Sequence, residues 1–307
     1  MPAMDLPAPA IAMRGLTKRY GRLVAVHNLE LDVREGEIFG FLGLNGAGKS
    51  TTIRMLLDLL RPTAGTASVL GFDCRREGLR VRGRIGYLPG EVGWYGDMTG
   101  REVLALLGRL QNQPVAPRYR GELQERLDLP DGDLKRKLRE YSTGMKRKLG
   151  LIQAFQGDPP LLILDEPTEG LDPLMQESFY QLLFDLQRRG RTVFMSSHVL
   201  SEVERVCGRI GLIRRGELAL LSSMNDLRAR ARRQVRVTFA SDVAARPAGL
   251  PAEYEILECG PREWRLAVHG PLGPLFASLA GLPVHDVQVD EARLEEALMR
   301  YYREAGA

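Results

Sequence analysis

The chain has 307 residues, of which 44% are hydrophobic and 27% charged, a composition typical of a soluble globular protein long enough for two domains. The formal net charge of +4 is modest for this length, so it permits an anionic ligand or an acidic membrane surface but does not require nucleic acid. No apolar run approaches the roughly 18 residues needed to cross a bilayer, so we expect any work at a membrane to go through a partner.

The amino terminus and the cysteines bear on the compartment in which the chain works. The first residues, MPAMDLPAPA, lack the basic and apolar regions of a signal peptide. Cys74, Cys207 and Cys259 are far apart in the sequence and fit neither a disulfide framework nor a zinc site. We therefore expect a reducing compartment.

Short apolar runs alternate with helical patterns over about the first 215 residues. Four runs predict buried strands: Gly36–Gly43, Arg84–Pro89, Leu161–Leu164 and Thr192–Ser197. A helix is expected from Lys49 to Leu60, with Pro62 as its stop. Residues 91–158 show no strand pattern and are interpreted as a helical insert. This alternation predicts an α/β core around a mainly parallel sheet.

The pattern changes after a hairpin that is predicted around Arg215 and Gly216. The arginine-rich segment Arg228–Gln234 is interpreted as a linker. We therefore predict two domains, residues 1–228 and a small α+β domain of residues 229–307.

The predicted second domain contains strands and a final helix. Apolar residues alternate in Val235–Phe239 and in Trp264–Val268, as they do in half-buried strands. The segment Asp290–Gly306 predicts a helix behind acidic N-terminal residues. The apolar face of that helix carries Leu294, Leu298, Tyr301 and Tyr302.

A glycine-rich loop joins the first predicted buried strand to the first predicted helix. The segment GLNGAGKST, which begins at Gly43, fits the phosphate-loop pattern G-x-x-x-x-G-K-[ST]. Gly43, Gly46 and Gly48 allow backbone N–H groups to turn toward phosphates, and the following helix directs its positive end at them. Lys49 can reach the β- and γ-phosphates, and the Ser50 hydroxyl can bind Mg²⁺. The segment therefore predicts a nucleotide site rather than a structural glycine loop.

Acidic residues follow the predicted strand Leu161–Leu164. Asp165 and Glu166 stand at its carboxyl end, where ligands bind in open α/β sheets. We expect Asp165 to bind Mg²⁺ through water and Glu166 to polarise the attacking water; the alternative is an acidic turn without a ligand. His198 ends another apolar strand and could reach the γ-phosphate from the same edge, although a structural histidine explains its position equally well.

The stretch YSTGMKRKLG combines a good helix cap with unfavourable charges. Ser142 is a favourable N-cap, and apolar residues follow it at helical spacing. Lys146, Arg147 and Lys148 crowd the first turn, where each cation costs about 0.3–1 kcal/mol against the helix dipole. We expect an arriving anion to compensate them; the alternative is that they point into solvent.

The chain resembles the ATP-binding subunit of an ABC transporter. The resemblance is carried by four features in a characteristic order and at characteristic separations: the glycine-rich loop, YSTGM, LLILDEPTEGLD and His198. The resemblance covers about residues 10–225. It implies a P-loop NTPase core of ABC type with an antiparallel β subdomain and a helical insert, followed here by a small C-terminal α+β domain. It also implies an ATPase with ATP and Mg²⁺ as cofactors.

The resemblance implies roles for further residues. Tyr20 matches the aromatic residue that stacks on adenine, Asp172 matches a carboxylate at the dimer interface, and His198 matches the switch histidine. Two subunits of this family pair head to tail, so Ser142 and Gly144 of one chain are expected to face ATP held by the other chain. The implied ATP-binding loop also includes Asn45, Ala47 and Thr51.

The resemblance also implies a function in transport. A homodimer, or a pair with a second ATPase subunit, is expected to power export of an unidentified substrate through a separate integral membrane permease. The segments YLPG and HVLSEVERVC are similar to those of two-component exporter ATPases, including drug- and antibiotic-resistance systems. The implied location is cytoplasmic, peripheral on the inner face of the cell membrane, with no nucleic-acid partner.

Several positions depart from the usual family pattern. The segment YSTGM matches the family's signature sequence, whose usual form is Leu-Ser-Gly-Gly-Gln. Thr143 and Met145 replace a glycine and the glutamine of this signature, but both keep their backbone donors, so ATP binding between subunits is expected to survive. Gly90 stands where a glutamine usually follows the strand, and Glu91 beside it is a candidate substitute. Trp94 and Tyr95, which follow, fit either a docking surface for the membrane partner or core packing.

The sequence fits two other function classes less well than it fits transport. A soluble ABC-type ATPase acting on ribosomes or nucleic acid is disfavoured, because ribosome-acting relatives usually carry two ATPase halves and DNA-repair relatives carry a long coiled coil. A P-loop GTPase or kinase is disfavoured further, because the chain has no Asn-Lys-x-Asp guanine motif and YSTGM would be unexplained.

Overall fold

The computed structural model describes residues 8–110, 115–230, 232–243, 254–268 and 271–290, together with Leu294 and Leu298. The strands are β1 Ile11–Tyr20, β2 Leu23–Val33, β3 Ile38–Leu42, β4 Ala64–Val69, β5 Phe72–Asp73, β6 Ile85–Leu88, β7 Leu161–Asp165, β8 Thr192–Ser197, β9 Arg209–Arg214, β10 Glu217–Ser223, β11 Arg233–Phe239, β12 Glu255–Cys259, β13 Glu263–Val268 and β14 Val284–Val289. The helices are α1 Lys49–Leu56, α2 Gly78–Arg82, α3 Gly100–Leu110, α4 Pro117–Arg126, α5 Asp131–Leu134, α6 Thr143–Phe155, α7 Pro173–Arg188, α8 Leu200–Val206, α9 Met224–Arg230 and α10 Gly273–Leu279.

A six-stranded sheet with the order β10-β9-β3-β8-β7-β6 forms the centre of the first unit, and β9, β3, β8, β7 and β6 run parallel. Every residue of β3, β7 and β8 is buried, which explains the run of apolar residues within each strand. The four predicted buried strands and the predicted parallel α/β core are thus confirmed. The carboxyl ends of these strands meet at one edge, where Leu42 pairs with Ser197 and Asp165 pairs with Ser196.

A second, antiparallel sheet with the order β2-β1-β4-β5 covers the core of the same unit. Ile11, Met13 and Leu16 alternate with less buried residues along β1 and share one hydrophobic cluster with Ile53 of α1 and Phe41 of β3. Helix α1 and the two sheets therefore contribute to a single hydrophobic core, which fixes the start of α1 at the end of β3.

Helix α1 is shorter than the sequence predicts, because it ends at Leu56 rather than at Leu60. Asp58 adopts a left-handed conformation with φ 53°, and the backbone N–H groups of Leu59 and Leu60 both donate to the carbonyl of Arg54. The helix is thus closed by a left-handed turn before Pro62 can end it.

The region predicted as a helical insert contains α3, α4, α5 and α6. In its described part, the only β pairing is an isolated bridge between Thr99 and Lys137. Helix α6 packs against β6 and against α3 and α4, so it joins this region to the edge of the central sheet.

The predicted hairpin around Arg215 and Gly216 is confirmed. Strand β9 ends at Arg214, β10 begins at Glu217, and the two strands are neighbours in the sheet. Arg215 and Gly216 have φ of 49° and 85°, which fits a two-residue turn with two left-handed positions.

The chain divides into two compact units, Met1–Leu221 and Ser222–Ala307. The division therefore falls before residue 228, because helix α9 belongs to the second unit. The linker predicted at Arg228–Gln234 is largely wrong: the segment contains the end of α9 and the start of β11, and residue 231 lies outside the described residues.

The second unit contains a four-stranded antiparallel sheet with the order β12-β13-β11-β14. Val235, Val237, Trp264 and Leu266 are buried in its core, which confirms the predicted alternation. Leu294 and Leu298 are helical and buried, whereas Tyr301 and Tyr302 lie outside the described residues.

Candidate functional site

The glycine-rich loop lies between the end of β3 and the start of α1, and its glycines are required by space. A Cβ on Gly43 would lie 2.6 Å from the carbonyl oxygen of Ile213, and a Cβ on Gly48 would lie 2.6 Å from the carbonyl oxygen of Ala25. Gly48 has φ 112° and Gly46 has φ 78°, conformations that side chains disfavour. The loop is thus a backbone cradle that larger residues would fill.

Two other elements hold this loop in place. The Ala47 N–H donates to Leu44 O at 3.1 Å, and Ala47 O accepts from the Gly216 N–H at 2.9 Å. The Gly216 carbonyl in turn accepts from the His27 N–H at 2.8 Å. The β9–β10 turn and strand β2 therefore brace the loop, while the side chains of Asn45 and Ser50 are exposed and that of Thr51 is half-buried.

Lys49 begins α1 and is buried, with 6% of its side chain exposed. Its Nζ donates to Gly43 O at 2.6 Å and to Leu44 O at 3.4 Å. The same atom lies 3.1 Å from Oε1 of Glu166. The ammonium group is therefore held inside the loop and faces an acidic residue of the neighbouring strand end.

Glu166 follows β7 in a left-handed conformation with φ 50°, which is unusual for a residue with a side chain. Its N–H is shared between Ser196 O at 3.3 Å and Ser196 Oγ at 3.2 Å. Its carboxylate lies between two cationic or polar groups, since Oε1 faces Lys49 and Oε2 lies 2.9 Å from Nδ1 of His198. The three predicted catalytic residues, Lys49, Glu166 and His198, are thus brought together.

Asp165 is the last residue of β7 and is 5% exposed. Its Oδ1 accepts a hydrogen bond from Ser196 Oγ at 2.5 Å. Burial, together with the negative charge of Asp165, raises the pKa of Tyr87 to about 12. The hydrogen bond from Ser196 thus fixes one oxygen of the Asp165 carboxylate at the edge of the sheet.

Gly90 brings the main chain after β6 against this carboxylate. A Cβ on Gly90 would lie 3.3 Å from Oδ2 of Asp165. Glu91 beside it is exposed, so its proposed substitution for the missing glutamine stays a prediction.

Sequence reasoning missed Ser196 and Glu202 at this edge. Ser196 is hydrogen-bonded to both Asp165 and Glu166. It belongs to the segment SSH, in which only the histidine was predicted to have a role. Glu202 accepts from Thr168 Oγ1 at 2.6 Å and from Ser197 Oγ at 2.7 Å, so it ties the loop after β7 to the end of β8. The serine pair Ser196–Ser197 before His198 was a sequence signal that could have indicated Ser196. No sequence signal indicated Glu202.

The signature helix α6 begins as predicted at a serine cap, with Ser142 Oγ accepting from the Met145 N–H at 3.2 Å. The expectation for the cations that follow is wrong for two of the three. Arg147 is 4% exposed and binds carbonyls of its own chain, and Lys148 Nζ donates to Asp128 O at 3.1 Å. The unfavourable interaction of these two cations with the helix dipole is offset by acceptors of the same chain, so no bound anion is needed to offset it.

Tyr20, Ser142 and Asp172 lie outside the cluster formed by Lys49, Glu166 and His198. In the described part of the chain they make no hydrogen bond or ion pair to it. Asp172 caps α7 by accepting from the Met175 N–H at 3.0 Å. Tyr20 ends β1 with 48% of its side chain exposed and Lys18 Nζ 5.0 Å from its ring. Gly144 lies beside the loop after β7, because a Cβ on it would be 3.0 Å from Gly170 O.

The two aromatic residues after Gly90 have different environments. Tyr95 is 78% exposed. Trp94 is half-buried, and its ring lies within 3.9 Å of the position that a Cβ on Gly150 of α6 would take. Tyr95 thus fits the docking alternative, and Trp94 fits the packing alternative.

No helix in the described residues is both long and apolar enough to cross a membrane. The described residues also contain no group of three or more His, Cys, Asp or Glu side chains placed to hold a metal ion.

Comparison with known proteins agrees with this geometry. Residues 26–169, which include the glycine-rich loop, the signature helix and Glu166, match the model of the ABC transporter family. The chain is 37% identical over 221 residues to the bacitracin transport ATP-binding protein BcrA of Bacillus licheniformis, covering 71% of this chain and 71% of that protein. It is 39% identical over 222 residues to the daunorubicin resistance ATP-binding protein DrrA3 of Streptomyces coeruleorubidus, covering 72% of this chain and 70% of that protein.

A solved structure has the same fold. It is a dimeric ATP-binding cassette in a post-hydrolysis state, bound to ADP and Pi; the TM-score is 0.64 at 24% identity, over 70% of this chain and 98% of that one. The likeness to this cassette concerns the fold, and the two relatives establish the family. This chain belongs to the ATP-binding subunits of the ABC transporter family.

Proposed function

We propose that this chain hydrolyses Mg-ATP in a head-to-tail dimer and thereby powers export through a separate membrane permease. The observation that carries the proposal is the carboxylate of Glu166, which lies between the buried Lys49 and His198 beside the glycine cradle. A general base must be within reach of the proton that it abstracts. The Glu166 carboxylate lies at the carboxyl edge of the central sheet, where the terminal phosphate of a nucleotide bound by the glycine-rich loop would lie.

The loop suits a triphosphate in shape and in chemistry. Positions 43 and 48 admit no Cβ without displacing neighbouring backbone, so these glycines allow the tight loop whose backbone N–H groups, in our proposal, bind phosphate oxygens. In our proposal the loop residues Asn45, Gly46, Ala47 and Thr51 complete the cradle, and Tyr20 stacks on adenine. Lys49 binds the terminal phosphates as a buried cation.

The Ser50 hydroxyl and the Asp165 carboxylate form a donor set that suits Mg²⁺. Both groups offer oxygen, the ligand that this ion prefers, and Asp165 would bind through water. Mg²⁺, when bound, supplies positive charge that offsets the charge on the phosphate oxygens. Ser196 keeps Asp165 oriented through its 2.5 Å hydrogen bond.

Chemistry in this proposal is divided among three side chains. Glu166 accepts the proton of the attacking water, Lys49 stabilises charge on the transferred phosphoryl group, and His198 contacts the γ-phosphate while its Nδ1 orients the Glu166 carboxylate. Preorganised groups of this kind provide electrostatic stabilisation without rearrangement during the reaction.

The dimer supplies the rest of the site. The tip of α6, with exposed Ser142 and half-buried Gly144, offers a hydroxyl and free backbone N–H groups to an ATP molecule bound by the other subunit. Asp172, at the exposed start of α7, would lie at the same interface. The dimeric cassette with the same fold supports this arrangement.

Two relatives support export as the purpose of hydrolysis, since one is named for bacitracin transport and the other for daunorubicin resistance. We propose an amphipathic, antibiotic-like substrate and a location on the inner face of the cell membrane. Exposed Tyr95 is a candidate anchor for the permease.

Co-expression with any multi-span membrane protein encoded beside its gene tests this proposal. We expect the two proteins to purify together in detergent, and inside-out vesicles to accumulate daunorubicin or bacitracin with ATP when the chain is wild-type but not with Glu166→Gln. If the chain hydrolyses ATP but purifies with no multi-span protein, the export proposal is wrong while the ATPase site stands.

A further inference from the structure

One buried guanidinium connects three segments that surround the proposed ATP site. Arg147, in the second turn of α6, donates from Nη1 to Pro89 O at 2.9 Å and from Nη2 to Gly90 O at 2.7 Å. Its Nε donates to Glu169 O at 3.0 Å. Three carbonyls of two separate loops are thus satisfied by a single side chain that is 4% exposed.

Each of these loops lies directly beside a proposed catalytic or metal-binding group. The main chain at Gly90 is so close to Asp165 that a Cβ there would lie 3.3 Å from Oδ2. The Glu169 N–H donates to Glu166 O at 3.2 Å, so Glu169 closes the turn that Glu166 begins. Gly90 has no side chain that could hold its loop in place. Arg147 holds this loop instead, through hydrogen bonds to the main-chain carbonyls of Pro89 and Gly90.

The charge of Arg147, like its hydrogen bonds, stabilises the acidic segments around it. Burial lowers the pKa of Arg147, whereas the negative charges of Glu169, Asp165 and Glu166 oppose that shift. An arginine stays protonated in a protein, so a second buried cation besides Lys49 acts on the acidic residues at this edge of the sheet. Removing it would leave three carbonyls unpaired and two carboxylates less stabilised.

We propose that Arg147 is a positioning residue that holds the Gly90 loop, the turn after Glu166 and the tip of the signature helix in one arrangement. The Ser142 cap lies five residues before it on the same helix, and a Cβ on Gly144 would lie 3.0 Å from the carbonyl oxygen of Gly170 in the Glu166 loop. Movement of the helix tip is therefore transmitted to Asp165 and Glu166 through this guanidinium. The inference rests on the proposed ATPase site.

The test compares Arg147→Met and Arg147→Lys with Lys148→Met in the full-length protein. Lys148 is a matched control, because it is the next residue of α6 and also donates to a carbonyl, that of Asp128, away from the site. Steady-state kinetics, equilibrium Mg-ATP binding and hydrogen–deuterium exchange of peptides containing residues 89–95 and 166–172 are measured for each.

For Arg147→Met we expect kcat to fall between about tenfold and a hundredfold, since small misplacements of catalytic groups have effects of that size. The Kd for Mg-ATP should change less than about threefold, because the glycine cradle and Lys49 are intact. Exchange should rise in both peptides. Arg147→Lys should recover part of kcat, and Lys148→Met should behave as wild-type.

Faster exchange with unchanged kcat would show that Arg147 is merely structural and would overturn the proposal, as would unchanged exchange in both peptides. If Arg147→Met does not fold, a fully active Arg147→Lys with faster exchange in both peptides overturns it equally. A wild-type protein without ATPase activity, by contrast, would contradict the proposed function itself.

Discussion

Lys49 and Glu166 form a buried ion pair at the carboxyl edge of the central sheet, with Nζ 3.1 Å from Oε1. The same ammonium group is bound by carbonyls of the glycine-rich loop. A triphosphate carries more negative charge than one carboxylate, so we expect it to take over Lys49 and release Glu166 toward the attacking water. The pair therefore links occupation of the loop to the availability of the base.

Lys49→Ala should weaken Mg-ATP binding by about ten- to a hundredfold. Hydrogen bonds to charged groups contribute roughly 1.5–3 kcal/mol, and each 1.4 kcal/mol is a factor of about ten. Isothermal titration measures the change. Arg54→Ala is the control, because Arg54 is an exposed cation on the same helix. Undiminished binding in Lys49→Ala would count against the phosphate assignment.

Glu166→Gln should retain Mg-ATP binding and lose turnover by about a hundredfold or more, because general-base catalysis contributes roughly 10²–10⁴. The amide keeps the shape of the side chain but cannot accept the proton. Phosphate release is the measurement, with Glu177→Gln, a half-buried acid on α7, as the control. Full turnover by Glu166→Gln would refute the catalytic role.

Gly48→Ala should destabilise the fold and abolish nucleotide binding. The left-handed φ costs about 1–2 kcal/mol and the close approach of Cβ to Ala25 O adds roughly 1–3 kcal/mol. Gly71→Ala is matched, since Gly71 has φ 80° but nothing within 4 Å of its Cβ position. Urea unfolding should show only the backbone cost for Gly71→Ala; equal losses in both would exclude the steric account.

Alkaline pH should destabilise the protein through its buried tyrosines. Burial raises the pKa of Tyr87, Tyr141 and Tyr180 from 10.0 to about 12, helped in each case by a nearby carboxylate. Between pH 10.0 and about 12 these tyrosines keep their protons in the folded protein but have lost them in the unfolded chain. Unfolding therefore becomes more favourable as the pH rises through this range.

Urea unfolding across that window measures the slope of stability against pH. Tyr141→Phe should flatten the slope, at the cost of about 1 kcal/mol at neutral pH for the lost hydrogen bond to Asp133 O. A slope that Tyr141→Phe does not alter would contradict this assignment.

Patterns of local sequence predicted the sheet and the loop because their causes are local. The buried strands are recognisable since both faces are covered, and Gly43, Gly46 and Gly48 are recognisable since the loop excludes side chains. The end of α1 was misplaced because the left-handed Asp58 has no sequence signal as strong as Pro62.

Long-range contacts could not be predicted in the same way. Arg147 lies in a helix start that predicts an anion, yet its partners Pro89, Gly90 and Glu169 stand 58, 57 and 22 residues away. Only the packing of α6 against the end of β6 brings them together. The cation's role is therefore a property of the tertiary structure.

Sedimentation velocity of Glu166→Gln with and without Mg-ATP tests the composite ATP site most directly. We predict a monomer without nucleotide, a dimer with Mg-ATP, and a monomer under both conditions when Ser142→Arg is added to block the helix tip. A monomer at saturating Mg-ATP, or a dimer that Ser142→Arg leaves intact, would contradict the pairing of one chain's glycine cradle with the other chain's serine-capped helix.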